Sequence, residues 1–144
     1  METSQNLEML QFIYQNTKMG EESIDAVLPS VHDNELANVI EEQRNGYTEL
    51  SLKAHKQLIT HGEDVKDNSA FAKVTLYAGV KLNTLTDKSP SHISEMMIQG
   101  SNMGVIDLTK KLNEYEEISP DVKELANEVI HFEQNSINQL KNFL

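Results

Sequence analysis

The chain has 144 residues and no cysteine. That is enough for one domain, 1–144, burying about two-thirds of its unfolded surface, and it excludes disulfides, thiolate metal sites and cysteine nucleophiles. Twenty-three acidic against twelve basic side chains give a net charge of −11, a field that repels phosphate backbones and anionic membranes and argues against nucleic acid as a partner. The N-terminal METSQNLEML has neither a basic n-region nor an apolar h-region, and no run approaches the roughly 18 apolar residues of a spanning helix. A soluble, cytoplasmic protein without membrane insertion is expected.

The first predicted element runs from Leu7 to Leu28, where Leu7, Leu10, Tyr14, Thr17, Ile24 and Leu28 keep three-four spacing on one helical face. Pro29 and Ser30 stop it. Asp33 is the expected N-cap of a second helix with the stripe Leu36, Ile40, Tyr47, Leu50, Ala54 and Leu58, closed by Gly62 as a left-handed residue. The polar EDVKDNS follows, and Asn68 or Ser69 can cap a shorter helix through Phe71, Val74, Tyr77, Ala78 and Leu85. Ser89 before Pro90, and again Ser119 before Pro120, places an N-cap ahead of a proline at the first helical position. Two more long helices are predicted, roughly 90–115 and 120–143.

Charge is uneven along these elements. Residues 53–88 hold six lysines against Glu63, Asp64, Asp67 and Asp87, so the middle is mildly basic in an acidic chain. A solvated face is the plain reading, and contact with an acidic surface of a second copy is the other.

Each long helix carries one non-apolar residue in the centre of its apolar stripe. With about 100° per residue, Glu21 falls among Tyr14, Thr17, Ile24 and Leu28, Gln43 among Leu36, Ile40, Tyr47 and Leu50, Ser101 among Met97, Val105 and Leu108, and Glu133 among Val129, Ile137 and Leu140. Inward carboxylates are costly unless hydrogen-bonded, protonated or paired, and no Lys or Arg shares these stripes. Gln43, Ser101, Tyr14 and Tyr47 can donate. An interior polar network of Glu21, Gln43, Ser101, Glu133 and Ser136 is therefore expected. Glu128-x-x-His131 imitates a metal-binding unit, but His131 lies about 180° from the stripe of its helix and reads as a surface residue. His92 and Glu95 form another surface pair at i, i+3. Gly100 and Gly104, one turn apart, are expected to let another helix approach, with the crossover helix as the packing partner.

Four long helices, with a short crossover helix between the second and third, resemble the ferritin and rubrerythrin superfamily, in its uncharacterised bacterial ferritin-like branch. The residues that carry the likeness are MGEESI (19–24), AKVTLYAGVKLNTLTD (72–87), MIQGSNMGVIDLTKKLNEY (97–115) and FEQNSINQLKNFL (132–144). The resemblance implies an all-α, antiparallel four-helix bundle with a centre holding two iron or manganese ions through one Glu from each of two helices and a Glu-x-x-His unit from each of the others. Here those units read Gln43-x-x-Gly46 and Glu133-x-x-Ser136, the third-helix carboxylate position is Ser101, and only Glu21 and Glu133 remain as candidate metal ligands. A non-catalytic bundle with a degraded site and no cofactor is therefore expected, acting through a protein partner or as a homodimer joined by Phe71, Leu76, Tyr77, Val80 and Leu82. The alternative is an iron- or manganese-dependent oxidoreductase or storage protein built around the reduced carboxylate pair.

Overall fold

A computed structural model describes residues 4–65 and 86–144. These form four long helices, α1 (Ser4–Val27), α2 (Asn34–Thr60), α3 (Pro90–Glu114) and α4 (Pro120–Leu140), with short 3-10 turns at Leu28–Ser30 and Lys141–Phe143. There is no strand among the described residues. The crossover helix expected around Phe71 to Leu85, and the homodimer surface placed on it, lie outside the described residues.

Local signals set the helix ends. Pro29 converts the end of α1 into a 3-10 turn. Asp33 accepts a hydrogen bond from the Leu36 amide at 2.9 Å, satisfying one of the orphan donors of the first turn of α2. Beyond α2, Gly62 takes φ +78°, a conformation that glycine enters without steric cost. Ser89 caps α3 by accepting from the His92 amide at 3.3 Å. Ser119 differs from expectation: it holds the extended N-cap backbone, but its side chain makes no cap bond. Its own amide instead donates to Asn6 Oδ1 at 2.7 Å, so Asn6 of α1 ties down the entry to α4.

Side-chain contacts between helices fix their directions. The start of α1 meets the end of α3 and the α3–α4 link, through Glu8 with Tyr115 and Gln5 with Glu117, and it meets the loop after α2 through Gln11 with Asp64. On the other side of the molecule, Gln43 and Tyr47 of α2 reach Gln139 and Glu133 of α4, and Lys53 reaches Glu128. Thus α1 is antiparallel to α2 and α3, and α4 is antiparallel to α2 and α3. The tightest pairs are α1 with α2 and α3 with α4, joined by contacts of α2 with α4 and of α1 with α3, while α2 and α3 run parallel across the diagonal. The end of α2 and the start of α3 therefore lie at opposite ends of the bundle, unlike consecutive helices of a simple up-down-up-down order.

The core is split along this length. One cluster, contributed by all four helices, contains Met9, Leu10, Ile13, Leu50, Leu58, Leu108, Val122 and Val129, and the other contains Ile24, Val27, Leu36, Ile40, Ile93 and Leu140. In α2 every stripe residue expected from the spacing is buried. The stripe of α1 is rotated from the expected one: Met9 and Ile13 are fully buried and Asn6 and Asn16 join them, whereas Leu7 and Tyr14 are only partly covered. Between the two clusters lies a polar belt of Asn16, Thr17 and Glu21 from α1, Gln43 from α2, Ser101 from α3, and Glu133 and Ser136 from α4, all buried.

Candidate functional site in the central belt

All five residues expected to form an interior network are buried, but they divide among three sets of partners. Gln43 Nε2 donates to the Ser136 carbonyl at 3.3 Å and to Gln139 Oε1 at 3.2 Å, while the Ser136 hydroxyl turns back onto the Phe132 carbonyl at 2.9 Å. Glu133 Oε2 accepts from the Tyr47 hydroxyl at 3.1 Å, and Ser101 is hydrogen-bonded to the same tyrosine. Glu21 belongs elsewhere. Its Oε1 lies 3.3 Å from Lys18 Nζ and 3.8 Å from Arg44 Nη2, and Arg44 also clasps Asp25.

The cations at Glu21 correct the expectation that it has no basic partner. Lys18 and Arg44 start outside the stripe, but their stems are long enough to carry the charge to its edge. Glu21 and Glu133, both inward, thus face different surroundings, and no described contact joins them. Among the described residues, no group of three or more His, Asp or Glu side chains is gathered closely enough to hold a metal ion.

Burial pushes the Glu133 carboxyl up to about 8, reinforced by the negative charge of Asp107 and opposed by the Tyr47 hydrogen bond. The Tyr47 hydroxyl is likewise driven far above its ordinary range, first by burial and then by Glu133. Both groups therefore stay protonated near neutrality, and Tyr47 remains a donor. Two oxygens of the belt, Glu133 Oε1 and Asn16 Oδ1, are buried and without a hydrogen-bond partner, as is Glu21 Oε2 nearer the rim.

Three glycines make room for this arrangement. A Cβ on Gly20 would enter the Tyr47 ring, one on Gly46 would enter the Phe132 ring, and one on Gly104 would collide with the Glu133 carboxylate. The two rings meet edge to face with centroids 4.9 Å apart. The crossover helix expected to pack here lies outside the described residues, but Gly104 does admit a close approach, by a side chain of α4. Gly100 does not, since a Cβ there would meet open space.

A two-ion carboxylate centre does not fit these residues. The space that a histidine at position 46 would need is filled by Phe132, Gln43 is committed to α4, and Ser101 engages Tyr47 rather than offering a carboxylate. The Glu128 and His131 side chains are exposed, as their phase on the wheel required, and Glu128 pairs with Lys53 at 2.6 Å. His92 and Glu95 sit 3.7 Å apart on the surface of α3. Sequence reasoning missed Asn16, because an asparagine in a half-polar helix resembles any solvated residue. It also missed Phe132 as the counterpart of Gly46, a complementarity that spans two helices.

No family model matches the chain, and no characterised protein or solved structure matches it either. None of the described helices is long and apolar enough to cross a membrane.

Proposed function

We propose that the protein is a ferritin-like bundle that has exchanged a two-metal centre for a packed polar belt and works by association with a second copy of itself. The observation that carries this reading is the filling of the belt: aromatic rings seated on Gly20 and Gly46 occupy the space in which a pair of ions and a reacting molecule would lie. The parallel diagonal of α2 and α3 supports the ferritin-like assignment. Association is supported by Leu52 and Ile59, 60% and 58% exposed on the outer side of α2. Lys56 lies between them along the helix, so an apolar strip that carries a positive charge can meet an acidic flank of another copy.

Light scattering coupled to size exclusion, with iron analysis of protein expressed in iron-supplemented medium, tests both parts. A dimer that Leu52→Glu with Ile59→Glu converts to monomer, lacking oxo-bridged ferric absorbance, is the expected result. A monomeric parent refutes association, and two irons per chain with that absorbance refute the loss of the centre.

A further inference from the structure

Around Gly104, α1 and α4 each bury an oxygen that has no hydrogen-bond partner, and a carboxylate of α3 lies within electrostatic reach of one of them. Asn16 of α1 donates through Nδ2 to the Gly104 carbonyl at 3.3 Å, which fixes the orientation of its amide and leaves Oδ1 as a buried acceptor with no donor. Glu133 of α4 lies against the α-carbon of the same glycine, and with Oε2 taken by Tyr47 its Oε1 is also orphaned. Asp107, nearly one turn further along α3 and half-buried, adds a second carboxylate whose charge bears on Glu133. Lys18 and Arg44 serve Glu21 and Asp25, Lys111 lies over Phe12 and Tyr115 while approaching Glu114, and Lys110 is exposed on α3. Glu133 is 2% exposed, so its oxygen is too deep for bulk water to satisfy.

We propose that this junction of α1, α3 and α4 binds one oxygen-preferring divalent cation, of the Mg²⁺, Mn²⁺ or Ca²⁺ class, through Glu133 Oε1, Asn16 Oδ1 and the Asp107 carboxylate, the ion displacing to solvent the proton that Glu133 otherwise holds near neutrality. Two carboxylates and a carboxamide oxygen, with no imidazole or thiolate, are donors that hard cations favour. Half-buried Asp107 leaves the ion one side open to solvent, and water on that side completes the coordination. Tyr47, anchored by Ser101, holds the other oxygen of Glu133 and so sets the plane of the carboxylate, the orienting role of an outer partner. The site uses Asn16 and Asp107, which lie outside the six positions of a two-ion centre, and needs neither Gln43 nor Gly46. It does not rest on self-association.

The test is a titration of the chelator-stripped full chain with Mn²⁺, Ca²⁺ and Mg²⁺ separately, following Tm, with loss of the free Mn²⁺ resonance counting bound ions. One ion per chain is expected, with Tm raised by roughly 5–10 °C at about a hundredfold excess over Kd. Glu133→Gln and Asp107→Asn, which preserve shape, should abolish the shift, while surface Glu128→Gln should keep it. A parent indifferent to millimolar cation overturns the proposal. So does a Glu133→Gln variant that shifts as the parent does, because the ions would then be gathered by the acidic surface. Failure here leaves dimerisation untouched, and a monomeric parent leaves the ion count untouched, so the two readings fail separately.

Discussion

Replacing Glu133 by Gln should stabilise the metal-free protein, and the gain should grow with pH. The carboxyl titrates near 8 in the fold against 4.5 when free, so the folded state binds a proton that the unfolded chain releases between those values. The contribution of Glu133 is therefore complete below about pH 4.5 and declines as pH rises toward 8. At pH 7, two and a half units of unfavourable proton uptake come to about 3 kcal/mol. Gln carries no such term and still offers Tyr47 an oxygen to donate to. Urea unfolding followed by circular dichroism, in chelator at pH 5, 7 and 8.5, should show parent and variant within about 1 kcal/mol at the lowest pH and separated by about 3 kcal/mol or more at the higher two, with unchanged m-values. Other acidic groups affect both chains alike and cancel in the difference. A Gln variant no more stable than the parent at pH 8.5 would mean that Glu133 is ionised and already compensated inside the belt, and the reasoning from burial fails.

Gly46→Ala should destabilise by about 1–3 kcal/mol through overpacking against Phe132, and pairing it with Phe132→Leu should recover part of that loss in a double-mutant cycle read by thermal melts. Asp33→Ala removes the cap on α2 and should cost about 1 kcal/mol, visible as a lower urea midpoint. Tyr47→Phe leaves Glu133 without its donor. In the same pH series, the loss of stability should therefore continue further above pH 8, the slope below it being already limited to one proton, because the lost hydrogen bond had favoured the charged carboxylate.

The sequence was most legible where one local rule governs the chain. The Asp33 and Ser89 caps, the left-handed Gly62 and the strict stripe of α2 rest on chemistry contained within a few residues. The register of α1 was harder to read because Leu7 and Tyr14 on one side and Met9 and Ile13 on the other are both credible apolar faces. Only packing against α2 and α4 decides between them, and it favours the second, which brings Asn16 into the core. The inward placement of Glu21, Gln43, Ser101, Glu133 and Ser136 followed from helical phase alone. Their partners did not, since a wheel locates a Cα but not the reach of Arg44, nor the ring across the bundle that makes Gly46 a necessity.

The belt also acts as a gauge of axial alignment. Four helices held only by aliphatic stripes can slip past one another by a turn, about 5.4 Å, with similar burial in each position. Here the Tyr47 ring seats on Gly20, the Phe132 ring on Gly46 and the Glu133 carboxylate on Gly104. A shift of α2 or α4 by one turn would unseat at least two of these, drive a ring into a neighbouring side chain and leave a carboxyl facing hydrocarbon. Alternative alignments are thus disfavoured at the waist of the molecule by groups that add little to its stability, which is how a polar layer can specify a single arrangement of helices.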